Sequence, residues 1–280
     1  MIICQTRNDL DTALEKLSKK SGKLALIPTM GNLHHGHLSL IKIAKKNASK
    51  TISTIFVNPL QFAQNEDFER YPRTHDEDIK KLKDEDCDIL FIPNNNKEVF
   101  SSIENVKTIN SGALGSELCG KIRPGHFDGV LTVVNRLFEI IDPDVAVFGA
   151  KDYQQEYLIR QMAKSLYPKL KLIKGPIIRA ENGIALSSRN NYLSDTELDI
   201  ASNLYKCLHN SHKSYNKNID LKIIIDEAYE YLKSKNLKPD YFELRDDCLN
   251  KIDFNGFNGK KVFLASVTIN KTRLIDNIEF

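Results

Sequence analysis

Four short runs rich in β-branched and other apolar residues, at 24–27, 52–57, 88–92 and 145–148, alternate with stretches whose apolar residues recur at helical spacing. No other feature constrains the fold as much. Leu10, Ala13, Leu14 and Leu17 share one helical face, with Asn8 or Asp9 placed to cap the helix and Gly22 to end it. A second helical pattern runs from Gly36 through Leu38, Ile41 and Ala44, and a third follows the capping-box pair Thr74 and Glu77. Val130, Val134, Leu137 and Ile141 mark a fourth, and another helix is expected from about Asp152. Repeated βαβ units of this kind predict an α/β fold, a doubly wound parallel sheet that binds ligands at the carboxyl ends of its strands.

Past Pro176 the character changes. A strand-like pair, Ile177 and Ile178, and a polar loop precede two lysine-rich helices, the first opened by a Ser194–Glu197 capping box, with strands expected at 241–244 and 262–268. The expected organisation is a Rossmann-like domain over 1–175 and a smaller α+β C-terminal domain over 176–280, a division in keeping with 280 residues.

Composition removes several function classes. Forty basic against 37 acidic residues is too even a balance for a nucleic-acid binder. No apolar run approaches the roughly 20 residues that span a bilayer, so no membrane partner is expected. The first residues lack a basic stretch followed by an apolar core, which points to a cytoplasmic location. The five cysteines are scattered without a C-x-x-C pair and read as reduced structural thiols.

The most informative segment is 27–37, IPTMGNLHHGH, which runs from a strand end into a helix start. Phosphates bind at such junctions, where backbone N–H groups and the positive end of the helix dipole face the ligand. Gly36 allows close approach, and His34 and His37 flank it with imidazoles that can hydrogen-bond phosphate oxygens and, when protonated, offset the charge on a leaving pyrophosphate. A surface loop or a zinc cluster are the competing readings of the three histidines. Neither G-x-G-x-x-G nor a P-loop occurs, so a dehydrogenase and a Walker-type ATP site are disfavoured.

Other strand ends carry polar residues. FVNPLQF at 56–62, followed by Asn65, Glu66, Asp67 and then Tyr71-Pro72-Arg73, places Gln61 at a strand's carboxyl edge with an amide that both donates and accepts. Arg123-Pro124-Gly125-His126-Phe127 opens the helix before the fourth run. Beyond that run, Lys151 can neutralise phosphate charge, Asp152 can cap a helix or hold a ribose hydroxyl, and Gln155 points to the same side one turn later. Ser187, Ser188 and Arg189 read as a polar turn or as a phosphate clamp.

Taken together, PTMGNLHHGH, FVNPLQF with NEDFERYPR, RPGHFDGV, FGAKDYQQ and ALSSRN resemble the pantothenate synthetase family in order and approximate spacing, over residues 29–193. The resemblance implies a nucleotidylyltransferase-type Rossmann fold and ATP-dependent condensation of pantoate with β-alanine through a pantoyl adenylate, releasing AMP and pyrophosphate. It implies ATP contacts from Met30, Gly31, Asn32, Leu33, His34, His35, Gly36 and His37, from Gly149, Ala150, Lys151 and Asp152, and from Ile178, Leu186, Ser187, Ser188 and Arg189. It assigns Gln61 and Gln155 to pantoate, Gln61 also to β-alanine, and catalysis to His37 as general acid with His34 and Lys151. Mg²⁺ carried on the ATP phosphates, by ligands the sequence leaves unknown, and a homodimer are further implications. Ala63 stands where many members have glycine, and Glu181-Asn182-Gly183 replaces a more usual acidic residue before glycine. The alternatives are another H-x-G-H nucleotidylyltransferase, a class I aminoacyl-tRNA synthetase, for which the chain is short, and a silent nucleotide-binding module.

Overall fold

The structure is a computed structural model and describes residues 1–18, 22–63, 66–103, 106–252 and 256–280. Asn65, named above beside Glu66, lies outside the described residues. The chain divides into two units, Met1–Ala150 with Gln155–Pro176, and Lys151–Gln154 with Ile177–Phe280. Lys151 and Asp152 therefore belong to the second.

The first unit is built on β1 (Ile2–Cys4), β2 (Leu24–Thr29), β3 (Lys50–Ile55), β4 (Ile89–Phe91), β5 (Val145–Gly149) and β6 (Lys171–Gly175). They pair in parallel in the order β1-β4-β3-β2-β5-β6. Its helices are α1 (Arg7–Ser18), α2 (His35–Asn47), α3 (His75–Asp84), the single turns α4 (Lys97–Phe100) and α5 (Cys119–Ile122), α6 (His126–Ile141) and α7 (Tyr153–Leu166). Strand residues such as Leu26, Ile27, Ile52, Ile89, Leu90 and Val147 are wholly buried, as expected where helices cover both faces of a parallel sheet. Each such side chain contributes roughly 1.5–3 kcal/mol by leaving water. The direction of winding reverses between β2 and β5, so the crevice at their carboxyl ends is the topological switch point, where open α/β sheets bind ligands.

Several local expectations are corrected. Helix α1 is capped by Thr6, whose hydroxyl accepts from Asp9 N at 3.1 Å while Asp9 accepts from Thr6 N at 3.0 Å, so Asp9 sits at the third helical position and not at the cap. Thr74 makes no side-chain cap on α3; its hydroxyl donates to Asp78 at 3.2 Å, a stronger acceptor buried one turn away. Ile177 and Ile178 lie outside the sheet, and the sixth strand is the preceding β6, whose lysines mask its pattern. β1 was also unforeseen.

The second unit carries α8 (Asp195–Ala201), α9 (Asn203–Asn216), α10 (Leu221–Ser234), β7 (Lys238–Asp246), β8 (Lys261–Ile269) and β9 (Thr272–Glu279). The strands form an antiparallel sheet in the order β7-β8-β9. Leu204, Leu208, Ile224 and Leu232 of its helices pack with Phe242, Phe263 and Val267 of the sheet, a two-layer α+β core. The Ser194–Glu197 capping box is present, but it opens the short α8 and not a long helix. No helix among the described residues is long and apolar enough to cross a membrane.

Candidate functional site

The chain leaves β2 through two consecutive left-handed residues, Gly31 (φ +83°) and Asn32 (φ +49°). A side chain at position 31 would be strained by that φ and would press on Ile55 Cγ2 at 3.0 Å. The bend wraps the loop around Asp78 of α3, a fully buried carboxylate that accepts from Asn32 N at 2.8 Å and Leu33 N at 2.7 Å. Lys81, one turn along α3, donates to the Leu33 carbonyl at 2.8 Å. The same helix thus grips the loop by both its donors and its acceptor.

Beyond the loop, His34 is the N-cap of α2 and its Nδ1 accepts from Gly36 N at 3.1 Å. His37, at the third helical position, returns the bond: its Nδ1 accepts from His34 N at 3.3 Å. This is a capping box made of two imidazoles in place of a hydroxyl and a carboxylate. Because each Nδ1 is an acceptor, each neutral ring carries its proton on Nε2 and presents that atom as a donor. The rings lie 4.0 Å apart between centroids, tilted by 31°. His35 is exposed, unlike its two neighbours.

This geometry corrects two expectations. The backbone N–H groups of Gly31, Asn32, Leu33, His34, Gly36 and His37 all have acceptors within the protein, so they are not a free phosphate cradle. The imidazoles also cap the helix in their neutral form, and protonating either Nδ1 would break a capping bond. The donors this turn offers are Nε2–H groups.

Gln61 ends a 3-10 turn, Pro59–Gln61, whose N-cap Asn58 accepts from Leu60 N at 3.2 Å and whose proline occupies the first turn, where no N–H is needed. Gln61 is buried; its Nε2 lies 3.0 Å from Met30 Sδ and its Oε1 accepts from Asn58 Nδ2 at 3.2 Å. Two candidates from distant motifs, Met30 and Gln61, are brought into contact. A thioether is a weak acceptor, so a substrate oxygen would be a better partner for that amide. Gly149 and Ala150 end β5 beside β2, and Gln155 is half-buried in the first turn of α7.

In the second unit, Lys151 Nζ lies 3.9 Å from Asp152 Oδ2, and the Lys151 carbonyl accepts from Asn277 Nδ2 at 3.0 Å. Ile178 and Leu186 meet across a narrow hairpin, Leu186 N donating to Ile178 O at 2.9 Å. Ser187 caps the 3-10 turn Ser188–Tyr192 by accepting from Arg189 N at 3.3 Å, which ties Ser187, Ser188 and Arg189 into one turn. Among the described residues one cluster could hold a metal through three side chains, Asp246, Asp247 and Cys248, but Asp246 there already accepts from Cys248 N and Asn250 N as a turn.

A family model described as pantoate-beta-alanine ligase matches residues 2–279. The chain belongs to the pantoate–β-alanine ligase family. It is similar to the pantothenate synthetase of Psychrobacter cryohalolentis, 42% identical over 96% of this chain and 94% of that one. The pantothenate synthetase of Xanthomonas oryzae pv. oryzae is 42% identical over 99% of both. The crystal structure of pantoate-β-alanine ligase from Thermus thermophilus superposes with a TM-score of 0.92 at 33% identity, covering 99% of each chain. The Francisella tularensis ligase, solved in complex with β-γ ATP and β-alanine, gives 0.83 at 35% identity over 99% of this chain and 97% of that one.

Within this ligase fold, sequence reasoning gave Asp78, Asn58, Arg123 and His126 no role. Asp78 looked like one acid in a charged helix, and only its depth betrays it. For Arg123 and His126 the signal was present, a Pro-Gly between a cation and an imidazole at a helix start, but their partner is a main-chain carbonyl and leaves no sequence mark.

Proposed function

We propose that this pantoate–β-alanine ligase works in two steps. The pantoate carboxylate attacks the α-phosphate of ATP, giving pantoyl adenylate and pyrophosphate; the uncharged amine of β-alanine then attacks the mixed anhydride and AMP leaves. The observation that carries the assignment of roles is the reciprocal imidazole cap, which fixes His34 and His37 as Nε2–H donors at the start of α2. Donors held in place before the reaction cost no reorganisation as charge develops, and such preorganised stabilisation is usually an enzyme's strongest means of lowering a barrier. His37 is accordingly assigned to the leaving pyrophosphate and His34 to the phosphates of bound ATP.

Gln61 and Gln155 are assigned to pantoate, with Gln61 also facing β-alanine. In the first unit Met30, Gly31, Asn32, Leu33, His35, Gly36, Gly149 and Ala150 are assigned to ATP, the loop residues through the shape that Asp78 imposes. In the second unit Lys151, Asp152, Ile178, Leu186, Ser187, Ser188 and Arg189 are assigned to the same ligand. Arg189 and Lys151 would supply positive charge, and the two hydroxyls would be donors to phosphate oxygens. Mg²⁺ is proposed to arrive on the ATP phosphates, the usual habit of this ion, and to neutralise charge there. A cytoplasmic homodimer completes the reading.

The test is AMP release from ATP with pantoate and β-alanine omitted in turn, together with ATP–pyrophosphate exchange. Exchange should require pantoate and not β-alanine. Exchange without pantoate would remove the substrate assignment.

A further inference from the structure

Gln61 sits at the end of a single 3-10 turn, Pro59–Gln61, too short a helix to fix a side chain by itself. Its main-chain carbonyl accepts from His126 Nδ1 at 2.8 Å and from Arg123 Nη2 at 3.2 Å, using both lone pairs and fixing the peptide plane. Arg123 Nη1 lies 2.8 Å from His126 Nε2. A guanidinium can only donate, so Nε2 is the acceptor and Nδ1 carries the proton that meets Gln61. One cation thus sets the tautomer of the histidine and shares its target.

The remaining arm of Arg123 is held by Glu66: Nε donates to Oε1 at 2.5 Å and Nη2 to Oε2. Burial pushes the Glu66 carboxyl up, but the hydrogen bonds and charge of Arg123 outweigh it and hold the group below its ordinary value. On the far side of the turn, α6 approaches so closely at Gly129 that a Cβ there would stand 2.0 Å from the Leu60 carbonyl oxygen. Asn58 spans both elements, donating to Gly129 O at 3.1 Å and to Gln61 Oε1 at 3.2 Å.

We propose that Arg123 and His126 are positioning residues for Gln61, holding its carbonyl so that its side-chain amide meets pantoate in one orientation. This rests on the reading of Gln61 as a pantoate ligand. Three variants are compared with Gln61→Ala by steady-state KM for pantoate and for ATP, with melting temperature as the control for folding. His126→Ala should raise the pantoate KM about tenfold and the ATP KM less than about twofold, the loss expected when one buried donor is removed. His126→Asn, whose amide nitrogen can occupy the place of Nδ1, should recover most of the loss. Arg123→Lys, which keeps the charge beside Glu66 but not the fork, should move pantoate in the same direction. Equal impairment in His126→Ala and His126→Asn, or pantoate and ATP moving together, would overturn the proposal. So would an unchanged pantoate KM in a folded Arg123→Lys, which keeps the test open should His126→Ala not fold. If Gln61→Ala itself leaves the pantoate KM unchanged, the ligand assignment of Gln61 fails and the proposal with it; a raised KM there beside a normal His126→Ala refutes the positioning alone.

Discussion

Each unit contains a buried arginine paired with a carboxylate, and the two pairs differ in what else the arginine holds. Arg123 of the first unit divides its donors among Glu66, His126 and the carbonyl of Gln61, a candidate substrate residue. Arg179 of the second spends its donors on Asp276, at 2.6 and 2.9 Å, and on the carbonyls of Gly183 and Asn277, and lies 3.8 Å above the Tyr205 ring. Its partners are the hairpin and the sheet strand of its own unit. The carboxyls respond differently too. Glu66 is held below its ordinary value by Arg123, whereas burial pushes Asp276 above it against the pull of Arg179. The same chemical pair thus serves a functional turn in one place and architecture in the other.

If that division is right, damage in the first region appears in kinetics and damage in the second in stability. The largest expected effect is on His37. His37→Ala should slow adenylate formation by about two to three orders of magnitude, the range for losing one preorganised donor. His37→Asn sharpens the test, because its carbonyl can still accept from His34 N while the Nε2 donor is gone. Single-turnover adenylation should be slow in both; a normal rate in the asparagine variant would reduce His37 to a helix cap.

The second effect belongs to the other region. Asp276→Ala leaves a buried guanidinium unpaired and should cost about 3–5 kcal/mol, read from urea midpoints. Activity per folded molecule should change little by comparison. Gln61→Ala reverses that profile: pantoate binding should weaken by about 1–3 kcal/mol while the urea midpoint moves less. Equal weakening of ATP and pantoate would show Gln61 to be structural.

The two carboxyls give opposite pH signs. Glu66 has a lowered native pKa, so its contribution is present above the ordinary carboxylate value and is lost as pH falls through the lowered one. Asp276 has a raised one, so its contribution is present at low pH and is lost as pH rises through the raised value. The stability gap between the parent and Glu66→Gln should therefore shrink on acidification, and the gap for Asp276→Asn should change the other way. Melting curves across the acidic range decide it; parallel trends would end the contrast.

The parallel sheet was legible because β2 to β5 are short apolar runs with nothing polar to interrupt them. β6 and β1 were not, since β6 alternates with lysines and β1 is three residues long at an open edge, with Ile2 and Ile3 partly exposed. β9 escaped because Asp276 and Asn277 break its apolar pattern, and those two are the residues that Arg179 engages. At the site, histidines, glutamines and the Ser-Ser-Arg turn announce themselves by type and spacing. What holds them does not, because Asp78 and Arg123 act on backbone atoms, which every residue possesses.

The smallest expected effect uses the cysteines to sharpen the comparison. Cys4, Cys87 and Cys119 are buried in the first unit and Cys207 in the second, whereas Cys248 is exposed on the turn after β7. Burial pushes the Cys207 thiol up to about 12 and Cys4 up to about 11, so neither offers an appreciable thiolate, the reactive form, in the folded state. Maleimide should label Cys248 quickly with no change in activity or melting temperature, and the buried four only when the protein opens. Asp276→Ala should then accelerate labelling of Cys207 while leaving the three thiols of the first unit near their parent rates, read by mass spectrometry of timed digests. Cys207 sits in the same apolar cluster as Phe242 and Leu274, so its exposure reports loosening of that core. If all four buried thiols accelerate together, the Arg179–Asp276 pair stabilises the chain as a whole. The separation of a kinetic first region from an architectural second one would then not hold.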